Sequence, residues 1–355
     1  MTLPDDMQAL VLRHGGLAGS GAGAGADARV DAGPGAAAPA ELPELLELRR
    51  LPRPRPAAGQ LLIEVALSPV NPSDLLYVAG HYGQPRQRGA AAGFEGTGVV
   101  VAAGDPETAA LVGGRVSFLA TASGAWAEFA LTDAASCVPV AEALRDEDAA
   151  TLFVNPSSAL AMIELAAQAG AQALVLTAAA SQLGRMLIAL ARERGMAAIA
   201  VVRRPEAAAP LQALGAAEVL ASGAPDYAAR LDAALKAHKP RILLDAVGDR
   251  VAAGIFAAMP AHSRWVAYGL LSEDGARLPD MREFVFAGKR IEGFWLSRWL
   301  RAANPAARAS AVHAAQQHFL DGRWHTQVAA RIALAEALSS LGAALALPGK
   351  VLLVP

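Results

Sequence analysis

The stretch 173–204, which reads ALVLTAAASQLGRMLIALARERGMAAIAVVRR, constrains the fold of this chain more than any other. Residues 173–177 form a short apolar run, residues 181–194 carry apolar side chains at helical spacing, and residues 197–202 are apolar again. Gly195 stands where a glycine commonly follows the last turn of a helix. The sequence therefore predicts a βαβ unit, a strand, a tight turn, a helix and a second strand parallel to the first.

The turn between the first strand and the helix is where a dinucleotide pyrophosphate rests in such units, against the helix N-terminus. The usual glycines are reduced here to Gly184, but the remaining side chains are small enough for close approach of the backbone. The Ser181 hydroxyl can also donate to a phosphate. We therefore expect cofactor contacts at the start of the helix, from Ala180, Ser181, Gln182 and Leu183. A βαβ unit that binds no ligand is the alternative interpretation.

Two arginines, Arg203 and Arg204, follow the second strand. An NAD-specific site places an acidic residue there, roughly 20 residues beyond the glycines, to bind the ribose 2′-hydroxyl. A guanidinium instead suits a 2′-phosphate, because it can bind the phosphate through two parallel hydrogen bonds. The two arginines therefore predict NADPH as the cofactor. A solvated pair of arginines before a helix that opens at Pro205 is the alternative.

Length and composition narrow the class of protein. The 355 residues suffice for two domains, and the net charge of -2 gives no indication of nucleic acid or an anionic membrane as a partner. A single cysteine, Cys137, excludes a disulfide framework and a cysteine-based zinc site, so we expect no bound metal.

Residues 165–184 are uncharged over the length of a membrane span, but they divide into a helix end, a strand and a turn. The N-terminal residues carry no secretory or transit pattern. We therefore expect a soluble, cytoplasmic protein.

The N-terminal part of the chain is predicted to be a small β domain. Residues 7–13 and 45–51 are expected to pair as two strands of a hairpin. The Gly/Ala/Pro-rich segment 15–40 between them has too few large apolar side chains to offset the entropy of ordering, so we predict a flexible loop. Further strands are expected at 60–68, 98–103 and 115–119.

From about Asp146 onward, helices alternate with short apolar strands. The predicted strands lie at 173–177, 197–202, 218–220, 242–245, 265–268 and 291–295. They give the fold class α/β, with a doubly wound parallel sheet of six strands in a Rossmann domain. A final predicted strand at 350–355 is expected to rejoin the first domain. The predicted domains are thus 1–145 with 299–355, and 146–298.

Four motifs occur in order in the β domain. They are Asn71-Pro72-Ser73-Asp74, Gly93-Phe94-Glu95-Gly96-Thr97-Gly98, Gly113-Gly114-Arg115-Val116 and Gly124-Ala125-Trp126-Ala127-Glu128. This order, followed by a Rossmann domain and a returning tail, resembles the medium-chain dehydrogenase/reductase superfamily over essentially the whole chain. The resemblance implies a GroES-like fold for the first domain. Pro72 and Phe94 stand where the zinc branch has a cysteine and a histidine, so the resemblance is to the zinc-independent branch.

Three further segments resemble the 2-enoyl thioester reductases of the mitochondrial trans-2-enoyl-CoA reductase type. They are Gly80-His81-Tyr82-Gly83, Leu152-Phe153-Val154-Asn155-Pro156 and Gly293-Phe294-Trp295-Leu296-Ser297-Arg298-Trp299. The resemblance implies NADPH-dependent reduction of an α,β-unsaturated thioester of CoA or acyl-carrier protein. A hydride would be transferred to Cβ, and Cα would be protonated. Tyr82 matches the family's catalytic tyrosine, which can donate the proton or hold the thioester oxygen. A half-buried loop tyrosine is the alternative.

The resemblance also implies cofactor contacts outside the turn. Asn155 would bind the nicotinamide carboxamide or the ribose, with a helix N-cap as its alternative. Lys350 would reach the cofactor from the tail, with a surface lysine as its alternative. By contrast, we expect structural roles for Asp74 and Glu95, the first as a helix cap and the second in a buried hydrogen bond.

Two segments at the ends of predicted strands complete the expected site. Because ligands bind outside the carboxyl ends of such strands, the first segment is assigned to the nicotinamide side. It comprises Tyr268, Gly269, Leu270 and Leu271. The second resembles the segment beside the nicotinamide and the acyl pocket, and comprises Phe294, Trp295 and Leu296. Packing at a dimer interface is an alternative role for the second segment. The segment can have both roles at once, and we expect a homodimer.

Two other functions remain open at this point. An NADPH:quinone reductase of the same superfamily needs no proton-donating tyrosine, only a pocket for a flat acceptor. A non-catalytic NADPH-binding protein would share the fold and bind the cofactor without turnover.

Overall fold

A computed structural model describes residues 3–13, 41–272, 274–277 and 280–355. The segment 15–40, predicted to be a flexible loop, lies outside the described residues. Two compact units emerge, one within Met1–Val154 and Val312–Pro355 and the other comprising Asn155–Ala311.

The strands, numbered in chain order within the described residues, are β1 Asp6–Leu12, β2 Leu46–Pro52, β3 Gln60–Pro69, β4 Glu95–Ala103, β5 Arg115–Leu119, β6 Phe129–Asp133, β7 Cys137–Pro139, β8 Ala173–Leu176, β9 Ala197–Val202, β10 Glu218–Ala221, β11 Ile242–Asp245, β12 Arg264–Ala267, β13 Arg290–Gly293, β14 Val328–Ala333 and β15 Lys350–Val354. The helices are α1 Leu42–Leu45, α2 Pro72–Ala79, α3 Asp146–Ala150, α4 Val154–Gln168, α5 Gln182–Glu193, α6 Ala208–Leu214, α7 Tyr227–His238, α8 Arg250–Ala258, α9 Met281–Val285, α10 Leu296–Ala302, α11 Pro305–Leu320 and α12 Ala337–Leu345.

The units divide later along the chain than the predicted boundaries at 145/146 and 298/299. The first difference arises because α3 packs against β3, β4 and β5 of the first unit. The second arises because α10 and the beginning of α11 belong to the second unit, which ends at Ala311. Helical pattern alone marks where a helix starts, but its packing decides which unit it joins.

In the first unit, β1 and β2 pair antiparallel, from Asp6 opposite Pro52 to Leu12 opposite Leu46. This confirms the pairing predicted for 7–13 and 45–51. A larger sheet has the order β14-β15-β3-β4-β5-β7, and β6 also pairs with β3. The tail strand β15 joins β3, with Leu352 opposite Pro69, as the sequence predicts.

Close packing requires a glycine at position 93, the first residue of the motif 93–98 in the first unit. Gly93 has a φ of 91°, and a side chain there would collide with the indole of Trp126. That indole is fully buried, and its Nε1 donates to the Pro69 carbonyl at 3.2 Å. The glycine therefore lets a buried tryptophan pack directly beneath the segment that carries Phe94 and Glu95.

The second unit contains, in the described part of the chain, a six-stranded parallel sheet of order β10-β9-β8-β11-β12-β13. Its middle strands are fully buried, as expected when helices cover both faces. The strand order reverses between β8 and β11. In doubly wound sheets ligands bind at such a switch point, outside the carboxyl ends of the strands.

The predicted last strand, 291–295, is longer than the one observed. β13 ends at Gly293, because Trp295 is already the N-cap of α10.

The uncharged stretch 165–184 contains the end of α4, then β8, then the turn and the start of α5. Within the described ranges, every helix is too short or too polar to cross a membrane.

Candidate active site

The turn after β8 has the backbone of a nucleotide-binding turn despite its missing glycines. Ala178 has a φ of 46°, a left-handed conformation that normally selects glycine. A side-chain carbon on Gly184 would lie 2.5 Å from the Ala179 carbonyl oxygen, so α5 starts directly against the turn. This close packing is the role of the third glycine in a dinucleotide fingerprint. The turn can therefore hold a pyrophosphate close to the backbone.

The predicted phosphate contacts Ala180, Ser181, Gln182 and Leu183 all lie in this turn and the first turn of α5. Ser181 is the N-cap, and its Oγ accepts from the Gly184 amide at 3.0 Å. The hydroxyl hydrogen is still available to a phosphate. The first amides of a helix have no partner inside the helix and carry its positive dipole end, which together favour an anion.

Arg203 and Arg204 directly follow β9, the neighbour of β8, and both are exposed. Parallel strands end at the same edge of a sheet, so the arginines and the turn belong to one edge. The predicted phosphate-binding residues are thus brought to the edge at which β8 meets the switch point.

Asn155 is buried in the first turn of α4, and its Nδ2 donates to Gln182 Oε1 over 3.4 Å. As the second residue of that helix it is not the N-cap, so the alternative interpretation of Asn155 is wrong. The structure brings two predicted cofactor residues, Asn155 and Gln182, into contact.

The segment Tyr268–Leu271 runs along the loop that follows β11. Amides of Tyr268 and Leu271 donate to the carbonyls of Asp245 and Ala246, at 2.8 and 3.1 Å. Leu270 and Leu271 are each 47% exposed, so they present apolar surface at the carboxyl edge. The Tyr268 hydroxyl is buried without a hydrogen-bond partner among the described residues, and burial raises its pKa.

Sequence reasoning missed Asp245, which fixes the loop beneath this segment. Its carboxylate accepts from the amides of Val247 and Gly248 at 2.9 and 3.0 Å and from the indole of Trp265 at 2.9 Å. Burial raises its pKa, which these hydrogen bonds oppose. The signal was an acidic residue that ends an otherwise apolar strand.

Phe294, Trp295 and Leu296 are half-buried after β13. Phe294 lines a cavity of about 370 Å³ together with Ala161, Gln168 and Arg264. Gln168 ends α4 and Arg264 begins β12, so this cavity extends toward the amino-terminal edge of the sheet. The cavity therefore gives no support to a nicotinamide contact by Phe294, and the roles predicted for these three residues stay predictions.

In the first unit, Tyr82 lies in the loop after α2. Gly80 ends that helix with a φ of 85°, and the His81 amide donates back to the Leu76 carbonyl at 2.8 Å. The Tyr82 ring packs at 5.0 Å from the ring of Phe94, which lies 5.3 Å from that of Tyr77. Phe94, which stands where the zinc branch has a histidine, thus packs against the rings of both Tyr82 and Tyr77.

A buried polar group lies behind Phe94. We call Asn71, Asp74, Glu95 and Lys350 the Lys350 cluster; all four are at most 8% exposed. Lys350 Nζ donates to Asn71 Oδ1 at 2.7 Å, so the alternative of a surface lysine is wrong. The contact with Asn71 also shows that the first unit itself supplies a partner for this ammonium.

The two carboxylates of the Lys350 cluster have the structural roles that the sequence predicts. Asp74 accepts from the amides of Asn71 and Phe94, at 2.7 and 2.9 Å. Glu95 accepts from Asn71 Nδ2 at 2.8 Å and from the amides of Phe153 and Val154 at 3.1 and 2.9 Å.

Burial dominates the electrostatics of the Lys350 cluster. Burial, with a smaller contribution from the neighbouring Glu95, raises the pKa of Asp74 to about 7, although amide hydrogen bonds and Lys350 oppose the shift. Burial also raises the pKa of Glu95 and lowers that of Lys350. Two carboxylates share one ammonium, so the cluster retains a proton more readily than isolated carboxyl groups would.

No group of three or more His, Cys, Asp or Glu residues suited to a metal occurs among the described residues. The chain matches family models for an alcohol dehydrogenase GroES-like domain over residues 57–142 and for a zinc-binding dehydrogenase over residues 183–311. Pro72 and Phe94, and no metal ligands, stand at the zinc-branch positions.

Among curated proteins, the chain is similar to the mitochondrial enoyl-[acyl-carrier-protein] reductase of Bos taurus, at 26% identity over 74% of this chain and 71% of that protein. Among solved structures, it is similar to a Mesorhizobium loti protein provisionally named an NADPH:quinone reductase, with 42% identity, full coverage of both chains and a TM-score of 0.90. It shares the fold of a mutant enoyl thioester reductase from Candida tropicalis, with 18% identity, 99% and 100% coverage and a TM-score of 0.77. The chain therefore belongs to the medium-chain dehydrogenase/reductase superfamily, in its enoyl reductase and quinone oxidoreductase-like branch.

Proposed function

We propose that this protein is an NADPH-dependent reductase of the C=C bond of an α,β-unsaturated thioester of CoA or acyl-carrier protein. The observation that carries the proposal is the contact of the Tyr82 ring with Phe94, which places a hydroxyl donor beside the residue that stands where the zinc branch has a metal ligand. The similarity to mitochondrial enoyl-[acyl-carrier-protein] reductases supports it.

The second unit has the features that NADPH requires. The turn before α5 admits a pyrophosphate close to its backbone, and Arg203 and Arg204 are exposed at the same edge for the 2′-phosphate. The Asn155–Gln182 pair offers amide groups to the ribose or carboxamide, and Leu270 and Leu271 offer apolar cover. NADPH, when bound, supplies the hydride that reduces Cβ.

The first unit contributes acid catalysis. The Tyr82 hydroxyl donates a hydrogen bond to the thioester oxygen, where negative charge develops, or a proton to Cα. The Phe94 ring fixes the direction of the phenol, which reduces the freedom that would otherwise be lost on substrate binding.

Replacement of the phenol tests this role. We expect Tyr82→Phe to lower kcat with crotonyl-CoA by about 100-fold, within the usual range for a general acid. Tyr77→Phe is the matched control, because it removes a hydroxyl from a ring that contacts the same Phe94. Equal kcat in the wild type and Tyr82→Phe would remove Tyr82 from the mechanism.

A double variant tests the cofactor. Arg203→Ala with Arg204→Ala should weaken NADPH binding at least about tenfold while it changes NADH binding little, because only NADPH carries the 2′-phosphate. Arg192→Ala with Arg241→Ala is the control, since it removes two exposed arginines at the end of α5 and before β11, at the opposite edge of the sheet. Equal losses for NADPH and NADH would contradict recognition of the phosphate by Arg203 and Arg204.

A quinone reductase is the second candidate, favoured by the 42% identity to the Mesorhizobium loti protein. A comparison of quinones with enoyl thioesters in one NADPH oxidation assay separates the two functions. Binding of NADPH without turnover of either acceptor class would favour the non-catalytic alternative.

We also propose a homodimer, formed through the sheet edge of the second unit. Ile291 of the edge strand β13 is 38% exposed, and Met281, Val285 and Phe286 shortly before it are 66%, 67% and 81% exposed. An exposed apolar edge strand is a template for pairing with a second chain. Light scattering should give twice the mass of one chain for the wild type, and the mass of a single chain for the double variant Ile291→Lys with Phe286→Ser.

A cytoplasmic location stays a prediction, which cell fractionation tests.

A further inference from the structure

We propose that Glu95 is a positioning residue for the NADPH site, because it caps helix α4 and thereby places Asn155. Asn71 and Lys350 hold the Glu95 carboxylate in this role. The inference rests on the proposed function, since Asn155 is assigned there to the cofactor.

Helix α4 needs a cap from outside its own sequence. The first amides of any helix have no partner within it, and a side-chain oxygen just before the helix commonly accepts from them. The residue before α4 is Phe153, whose side chain has no acceptor. Glu95 replaces the missing cap from 58 and 59 residues away, with one oxygen, Oε2, that accepts from both the Phe153 and Val154 amides.

The charge of Glu95 suits this position. A carboxylate at a helix N-terminus is stabilised by the helix dipole, and its hydrogen bonds to amides are stronger than those of a neutral acceptor. Because Glu95 is only 1% exposed, water does not screen the interaction. Glu95 therefore holds the first turn of α4 more tightly than an exposed serine or asparagine cap would.

Lys350 fixes the orientation of the amide that holds Glu95. An ammonium only donates hydrogen bonds and an ionised carboxylate only accepts them. The Asn71 amide between them must therefore turn its oxygen to Lys350 Nζ and its nitrogen to Glu95 Oε1, at 2.7 and 2.8 Å. The chain of contacts runs from the tail strand through Asn71 and Glu95 to the start of α4.

The consequence for the cofactor is local. Asn155 directly follows Val154 in the first turn of α4, so a shift of that turn displaces its side chain from Gln182. Misplacement of a positioning group by about 1 Å can cost a factor of about 100. Loss of the Glu95 cap should thus weaken NADPH binding although Glu95 does not itself contact the cofactor.

A polarity inversion tests the inference in the full-length protein. Glu95→Gln turns an amide nitrogen toward Asn71 Nδ2, so either that contact or the α4 cap is lost. Asn71→Asp alone sets a third buried carboxylate beside Glu95. The double variant, Glu95→Gln with Asn71→Asp, restores every contact. Its new carboxylate accepts from both Lys350 and the new amide nitrogen, while the oxygen of that amide still caps α4. The number of carboxylates around Lys350 is then the same as in the wild type.

We expect Glu95→Gln to weaken NADPH binding about tenfold, measured by cofactor fluorescence, and the double variant to recover most of that loss. Glu64→Gln, which changes an exposed glutamate of β3, is the matched control. Hydrogen exchange should show faster exchange of the amides of residues 153–155, 157 and 158 in Glu95→Gln and protection restored in the double variant.

The outcomes separate the inference from the function. Glu95→Gln with a lower melting temperature but unchanged NADPH affinity would show a merely structural role and overturn the inference, as would a double variant that binds NADPH no better than Glu95→Gln. A wild-type protein that binds no NADPH would overturn the proposed function as well.

Discussion

The Lys350 cluster of the first unit and the turn before α5 in the second unit are held in opposite ways. In the first unit, Asp74, Glu95 and Lys350 are buried and fixed by short hydrogen bonds within the chain. In the second, the turn before α5 offers small side chains and backbone amides, and Arg203 and Arg204 are exposed. The Lys350 cluster is thus built from contacts within the chain, whereas our proposal has a phosphate of NADPH supply the negative charge that the second unit lacks.

The largest effect is expected from removal of the ammonium of the Lys350 cluster, which tests whether this buried cluster stabilises the protein. Lys350→Met removes the charge that lowers the pKa of Asp74 and Glu95 and leaves the Asn71 amide oxygen without its donor. We expect a loss of about 3–5 kcal/mol of unfolding free energy, the range for removal of one partner from a buried charge pair. Urea denaturation measures the loss. Lys236→Met is the control, because its exposed pair with Asp232 should contribute at most about 0.5 kcal/mol. Similar losses in both variants would mean that the buried cluster is no more important than a surface pair.

A second test addresses the turn of the second unit. Gly184→Ala places a side-chain carbon against the Ala179 backbone, so α5 must move; we expect a loss of about 1–3 kcal/mol, the range for overpacking, and weaker NADPH binding. Gly254→Ala in α8 has open space around the new carbon and should instead stabilise the protein by up to about 1 kcal/mol. A Gly184→Ala variant as stable as Gly254→Ala would show that α5 does not depend on this close contact.

The pH dependence of stability sharpens the comparison, because the first unit buries Asp74 in the Lys350 cluster. The pKa of Asp74 is raised from 3.8 to about 7, so between these values the folded state binds a proton that the unfolded state has released. The free energy of unfolding therefore falls as pH rises through this window, with a slope of at most about 1.4 kcal/mol per pH unit for one proton, and this contribution is constant above it.

Asp74→Asn should remove that slope, as measured by urea denaturation at several pH values. Asp133→Asn is the control, because it makes the same change at an exposed residue, the last of β6, and should leave the slope intact. An unchanged slope in Asp74→Asn would assign the proton to another group, of which Glu95 and Lys350 face Asp74.

The smallest expected effect is at Ala178. Its φ of 46° strains an alanine but not a glycine, so Ala178→Gly should stabilise the protein by up to about 1 kcal/mol. Thermal unfolding measures the change, with Ala180→Gly in the same turn as control. A loss of stability in Ala178→Gly would show that the left-handed turn is not strained.

Much of the fold could be predicted because its signals are local. The strands β9 and β11 begin and end at the predicted residues, since each is short and consists of apolar residues apart from Asp245 at the end of β11. The predicted strand 291–295 extends too far, to Trp295, because its apolar residues fit both a strand and a helix, and only tertiary packing decides between them.

In the candidate site, too, local contacts could be predicted and long-range contacts could not. The contacts of Ser181 and Gly184 follow from a motif within a few residues, whereas Lys350 meets Asn71 across 279 residues of chain. Spacing therefore could not show that Lys350 is buried, nor that Glu95 caps α4. The role of Asp245 was hidden for the same reason, because its indole partner, Trp265, lies on the next strand.

The proposed reaction is tested most directly by isotope placement. NADPH deuterated at the transferable position should reduce crotonyl-CoA to butyryl-CoA with deuterium on Cβ, and unlabelled NADPH in D₂O should place deuterium on Cα, both detected by mass spectrometry and NMR. Quinone reduction by NADPH with no butyryl-CoA formed would contradict the account.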